Sequence, residues 1–145
     1  MRHKQVIGVL GLLTDGRGKV LITLRNEPEL PEVHHKWQIP GGGVEFGEEP
    51  LVALHREMKE ELGVEIEIIA LIPYVGSSVW NHPYGKEHAI LFCYLCKAKK
   101  DQIIKLDSES SEARWVFPHE INTLSRLPLT DDFVLAARPL LHKAR

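Results

Sequence analysis

Three carboxylates, Glu57, Glu60 and Glu61, crowd the end of a stretch that reads PLVALHREMKEEL. A helix advances about 100° per residue, so the three fall within an arc of roughly 100°. Like charges three and four residues apart weaken a helix by a few tenths of a kcal/mol per pair, so this clustering has no structural benefit. A cation would remove the penalty. The run Gly41-Gly42-Gly43 just upstream lets backbone amides and carbonyls approach a ligand with no side chain in the way. Hard oxygen donors beside such a loop suit Mg²⁺ or Mn²⁺, which take one or two carboxylates together with waters and substrate phosphates. Glu60-Glu61 alone also fits an ordinary solvated helix face, so the surrounding pattern has to decide.

The elements that must position these groups follow from local patterning. Pro50 suits a first helical turn, Glu48 and Glu49 suit its positive end, and Gly63 suits its C-terminus, which predicts a helix over about Glu49 to Leu62. Leu51, Leu54, Met58 and Leu62 form its core stripe, on an arc adjacent to the carboxylates. Val6 to Leu13 and Val20 to Leu24 flank an Asp-Gly-Arg-Gly turn and read as a hairpin. Asn26 to His35 reads as an exposed loop, followed by a short extended stretch, Trp37 to Pro40. Glu65 to Val75 and Ala89 to Ala98 read as strands joined by a polar loop, and Trp115 to Phe117 as a short strand. Pro118 to Thr123 suggests a helical turn, and Asp131 or Asp132 would open a last helix through Leu141, bent or shortened by Pro139. The order β-β-β-α-β-β-β-α predicts an α/β fold, a mixed sheet covered by helices in a single domain over residues 1–145.

Composition narrows the partners. The chain has 145 residues, one domain's worth, and its 18 Lys and Arg nearly balance 20 Asp and Glu. A formal charge of -2 provides no general field for a nucleic-acid polymer or an anionic membrane. The longest apolar runs, Val6 to Leu13 and Ala89 to Cys96, fall far below the roughly 20 residues of a membrane-spanning helix. Met1 to Leu13 has the charged and apolar parts of a signal peptide, but a turn follows in place of a cleavage site, so it reads as a strand and the expected compartment is the cytoplasm. Gly42 to Val64 holds six Glu against Arg56 and Lys59, so the small net charge averages an acidic segment with a slightly basic remainder. That division suits a metal and a small phosphorylated substrate.

The stretch GGVEFGEEPLVALHREMKEELGV, Gly42 to Val64, matches the box of the Nudix hydrolase superfamily at every constrained place. Gly42, Glu48, Arg56, Glu57, Glu60, Glu61 and Gly63 stand at the required spacing, with Met58 and Val64 in the apolar positions. Leu21 to Arg25, Trp37 to Gly43 and Ala113 to Val116 are similar to strands that surround the box in MutT-like members. The resemblance implies an α/β/α sandwich with a mixed central sheet and hydrolysis of a nucleoside diphosphate linked to another group X. It also implies roles. Glu60 and Glu61 would hold Mg²⁺ or Mn²⁺ with the backbone carbonyl of Gly41, Glu57 would be a further ligand or the base, and Glu48 would bind metal directly or through water. Arg56 would hold a glutamate by a bidentate pair, and Arg25 resembles a phosphate-touching strand arginine or is a solvated strand end. Glu109 occupies the place of an additional base, with Glu112 and Glu87 as rivals. Asp131 and Asp132 resemble a purine-reading pair, but an aspartate there is also a plain N-cap.

Other residues point elsewhere. Cys93 and Cys96 lie three apart in a strand, hence on opposite faces, and have no second pair to complete a zinc site, so they read as core. The histidines show no ligand spacing; His34 and His35 read as solvated loop residues. Trp37 and Trp115 read as core, whereas Trp80, His82 and Tyr84 would stack on a base or close the sheet end. The favoured substrate is a (d)NTP or oxidised (d)NTP, a small nucleotide acted on by a monomer or homodimer. ADP-ribose, nucleotide sugars or dinucleoside polyphosphates are the alternatives, weakened because Trp80 stands where such members carry Pro or Tyr. A catalytically silent nucleotide sensor is disfavoured by the intact box, and an isomerase by the placement of the cysteines.

Overall fold

In the computed structural model, which describes residues 2–142 and 144, the chain forms β1 (Lys4–Leu13), β2 (Val20–Arg25), β3 (Trp37–Gln38), β4 (Gly41–Gly43), α1 (Pro50–Leu62), β5 (Ile66–His82), β6 (Gly85–Ala98), β7 (Ser110–Val116), a 3₁₀ turn (Pro118–Thr123) and α2 (Thr130–Leu141). One sheet has the order β4-β1-β6-β5 and the other β3-β2-β7. β1 and β6 run parallel, in register from Lys4 opposite Glu87 to Leu13 opposite Cys96. All other pairs are antiparallel, so the larger sheet is mixed. Among the described residues no helix is long and apolar enough to cross a membrane.

Alternation along β1 explains the layers. Val9 and Leu13 point into a core shared with Leu54, Met58 and Leu62 of α1, whereas Leu12 points into a second core with Phe133, Val134 and Ala137 of α2. A strand buried on both faces must sit between two helices, which makes an α/β/α arrangement. Cys93 and Cys96 fall into different cores, as their spacing predicts, and both thiols are free.

Three expectations are corrected. β1 and β2 do not form a hairpin: a single bridge, Thr14 with Val20, joins them, and they enter different sheets. Both edges of β1 are already taken by β4 and β6, which leaves β2 to pair with β3 and β7. The polar stretch after Val75 is not a loop but the outer half of a β5–β6 hairpin, paired out to His82 opposite Gly85. Its residues are polar because they face a cavity and solvent instead of a core. The last helix begins at Thr130, after Leu129 with φ 76, and Pro139 lies inside it without ending it. The carbonyl that Pro139 deprives of a partner belongs to Leu135, an exposed residue.

Candidate active site

α1 carries the carboxylates, and its packing separates them. The buried stripe runs Leu54, Met58, Glu61 and Leu62, so Glu61 occupies a core position and is 4% exposed. Glu57, one turn earlier, keeps 13% of its side-chain surface, and Glu60 keeps 57%. The arc expected to form one acidic face straddles the edge of the buried stripe, so Glu57 and Glu61 line the main cavity while Glu60 faces solvent.

β4 supplies the opposing surface. Gly11 N–H donates to the Pro40 carbonyl and Val44 N–H to that of Ile7, so the pairing alternates and Gly42 faces its partner Val9. Gly41 and Gly43 therefore turn their polar groups outward from the sheet edge. Gly41 N–H donates to Glu61 Oε2 at 2.9 Å, and the Gly43 carbonyl accepts from Arg56 Nη2 at 3.0 Å. The Gly41 carbonyl shares that outward edge. A methyl group on Gly42 would collide with the Glu57 carboxylate, so holding that carboxylate where it stands requires glycine there.

Arg56 binds the site together. Its Nε and Nη2 form a bidentate pair with Glu48, both at 2.9 Å, and its Nη1 donates to Glu57 at 2.8 Å and more weakly to Glu60 at 3.5 Å. Glu48 also accepts from Glu45 N–H at 3.0 Å. Arg56 first, then that amide, hold the Glu48 carboxyl down at about 2. With both oxygens occupied, Glu48 orients Arg56, and it does not line the cavity in which it was expected to bind metal.

Glu109 arrives from the segment after β6. Lys105 N–H donates to the Leu62 carbonyl at 2.7 Å and Asp107 N–H to that of Glu61 at 3.2 Å, which caps the C-terminus of α1. Asp107 Oδ1 accepts from Glu109 N–H, and Asn26 N–H donates to the Glu109 carbonyl, both at 2.9 Å. These bonds bring the Glu109 carboxyl against that of Glu61. Burial above all, then hydrogen bonding to Glu109 and its charge, push the Glu61 carboxyl up to about 9, against the Gly41 amide that lowers it. Glu57 is also raised, by burial more than Arg56 lowers it. The rival bases lie elsewhere. Glu112 pairs with Arg114 at 3.0 Å, and Glu87 sits at the far end of the cavity.

The cavity itself, about 940 Å³, runs from these carboxylates across the sheet to the β5–β6 hairpin. Arg25 lines it, bonded to Glu27 at 2.6 and 2.8 Å and to Gln38 at 3.3 Å. Asp131 and Asp132 do not reach it. Thr130 and Phe133 take the inward positions of α2, leaving Asp131 to pair with Arg126, whose guanidinium keeps that carboxyl below its ordinary range. Neither aspartate is the N-cap, which is Leu129. Sequence reasoning missed Glu27 and Gln38. The signal for Glu27 was its place two residues after Arg25.

A divalent cation fits the donor set. Among the described residues no group of three or more His, Cys, Asp or Glu side chains is placed to hold a metal ion by itself, so backbone, water and substrate oxygens would have to complete the shell. Glu61, however, is a buried carboxyl beside Glu57 and Glu109 with one amide donor, and burial and the neighbouring Glu109 favour its protonated form; a hard dication would take the place of that proton. Glu57, Glu61, Glu109 and the outward Gly41 carbonyl are the groups that would hold it.

Comparison with known proteins agrees with this architecture. The NUDIX domain family model matches residues 4–139. An RNA pyrophosphohydrolase from Dinoroseobacter shibae is 29% identical over 133 residues, covering 82% of this chain and 79% of that protein. The nucleoside triphosphatase NudI of Escherichia coli is 30% identical over 92 residues, covering 59% of this chain and 64% of that one. Among solved structures, the MutT protein from Methanosarcina mazei Go1 aligns with a TM-score of 0.72 at 25% identity over 97% of this chain and 98% of that one.

Proposed function

The chain belongs to the NUDIX hydrolase family, and from that membership we propose that it is a Mg²⁺-dependent pyrophosphohydrolase of (d)NTPs or oxidised (d)NTPs, yielding the monophosphate and pyrophosphate. The observation that carries this reading is the Glu57, Glu61 and Glu109 cluster, Glu61 buried among them, at one end of a cavity large enough for a nucleotide.

Bound Mg²⁺ would neutralise the phosphates and lower the pKa of a coordinated water. The protein's own groups do the rest. Glu57 and Glu61, with the Gly41 carbonyl, would hold the cation side of the site. Glu109, at the cavity wall beside Glu61, would accept a proton from the attacking water as the new P–O bond forms and the phosphoanhydride P–O bond breaks. Arg56 holds Glu57 and the Gly43 carbonyl in place through its clamp on Glu48. Arg25 offers positive charge to the substrate phosphates from the facing wall.

The similarity to an RNA pyrophosphohydrolase favours a second reading, a 5′-triphosphate at an RNA end. The phosphoanhydride chemistry would be the same, and a chain of net charge -2 would grip the terminal nucleotide without tracking the polymer. A hydrolysis assay with Mg²⁺ at mildly alkaline pH, run on (d)NTPs, oxidised dGTP, ADP-ribose, dinucleoside polyphosphates and 5′-triphosphorylated RNA, separates these by product identity. Pyrophosphate released from a (d)NTP supports the first reading. No phosphate or pyrophosphate from any substrate would sink both.

A further inference from the structure

We propose that the cavity end remote from the carboxylates is a base subsite, built by Trp80 and Glu87, that selects guanine. The inference rests on the reading that the carboxylate end takes the phosphates of a nucleotide.

Trp80 and Glu87 are direct partners across the β5–β6 ladder and both line the cavity. The next pair inward on that face is Ser78 opposite Ala89, two small side chains that also line it. One pair further in, Gly76 is roofed by Leu129 and Phe133, which approach to within 3.0 Å of where its Cβ would be. The result is a slot floored by Ser78 and Ala89 and bounded by Trp80 on one side and by Leu129 and Phe133 on the other, a shape for a flat ring. Trp80 Nε1 donates to Ser78 Oγ at 3.1 Å, which fixes the indole as a stacking plate.

Glu87 is held in advance of any ligand. Tyr84 OH donates to its Oε2 at 3.0 Å, Lys4 Nζ lies 3.5 Å away and His82 Nε2 3.8 Å away. All three approach Oε2, and among the described residues Oε1 has no partner. The carboxylate therefore presents an unused acceptor beside an aromatic plate. A carboxylate accepts and cannot donate. Guanine offers two adjacent donors, N1–H and N2–H₂, on one edge. Adenine and cytosine would set a ring-nitrogen lone pair against Glu87, and uracil flanks its one donor with two carbonyls. Position agrees with this division of labour. Gly41 stands opposite Leu10, Leu10 opposite Cys93, and Glu87 lies six residues back along β6, about 20 Å at the strand rise. Side chains reaching in from both ends shorten that span to one an extended nucleoside polyphosphate covers and a bare pyrophosphate does not.

The test measures kcat/KM of the full chain with Mg²⁺ for GTP, ATP, CTP and UTP, and separately the calorimetric affinity for GMP and AMP. The expected result is a preference for guanine of at least about tenfold in both assays. Glu87→Gln, whose amide offers adenine one donor and one acceptor, should abolish that preference or shift it toward adenine. Trp80→Ala should weaken every base by about tenfold and leave the ratio unchanged. Equal use and equal binding of guanine and adenine by the unaltered protein, or an unchanged preference in Glu87→Gln, overturns the subsite even if hydrolysis proceeds. GMP bound over AMP, with no nucleotide hydrolysed, would instead keep the subsite and overturn the reading of the phosphate end.

Discussion

Glu61 sits seven residues after Leu54 and three after Met58, on the stripe that packs against the sheet, and a carboxylate cannot stay charged there without a partner. In metal-free protein burial outweighs the single Gly41 amide and favours the protonated carboxyl. The folded value of about 9 lies above the ordinary 4.5, so the stabilising proton is fully in place below the unfolded value and is lost as pH rises toward 9. The melting temperature in chelator should fall between about pH 5 and 9. Glu61→Gln, neutral at every pH, should flatten that slope while cutting turnover by a factor on the order of 10²–10⁴. Mg²⁺ added at pH 8 should restore stability to the unaltered protein and release protons, which a pH-stat or calorimetry in two buffers would detect. Arg56 presents a different case, because it touches the site through other groups. Arg56→Lys keeps the charge but loses the planar fork on Glu48, so kcat should drop on the order of 10- to 100-fold with KM little changed, as steady-state kinetics would show.

At the scale of elements, the site depends on how closely α1 approaches the edge strand β4. Gly42 has no room for a methyl group beside the Glu57 carboxylate, yet it is not part of either core. Gly42→Ala should therefore reduce kcat/KM at least about 100-fold by displacing Glu57, on the scale of a misplaced catalytic group, while the melting temperature moves by only a few degrees. Gly63 has the opposite balance. It ends α1 with φ 67 and a bond from its N–H to the Lys59 carbonyl at 3.0 Å. Gly63→Ala should cost about 1 kcal/mol in urea denaturation. The helix and its end were legible in sequence because Pro50, the apolar stripe and Gly63 act locally. The outer β5–β6 hairpin was not, since its alternation of Ser, Val, Trp and His mimics a loop until the cavity that it faces is known.

For the whole molecule, one mixed sheet serves two cores, and each cysteine reports on one of them. Burial pushes the Cys96 thiol up to about 12 and the Cys93 thiol well above its ordinary value. Neither should react with a thiol reagent at pH 8 in the native state, and both should react together on unfolding. A fast reaction of one alone would mean that its core opens separately. The sequence by itself determined the family box, the helix that bears it, and the chemistry of clustered carboxylates beside glycines. Each of these depends on spacing within a short segment, where helical geometry relates residues directly. Tertiary structure decided which glutamate is buried, which distant carboxylate meets it, and which strands pair. Glu61 and Glu109 approach each other because the segment after β6 caps α1, and β2 leaves β1 because both edges of β1 are occupied. Those outcomes depend on which edges and faces remain free after the chain has packed, and no local spacing records that.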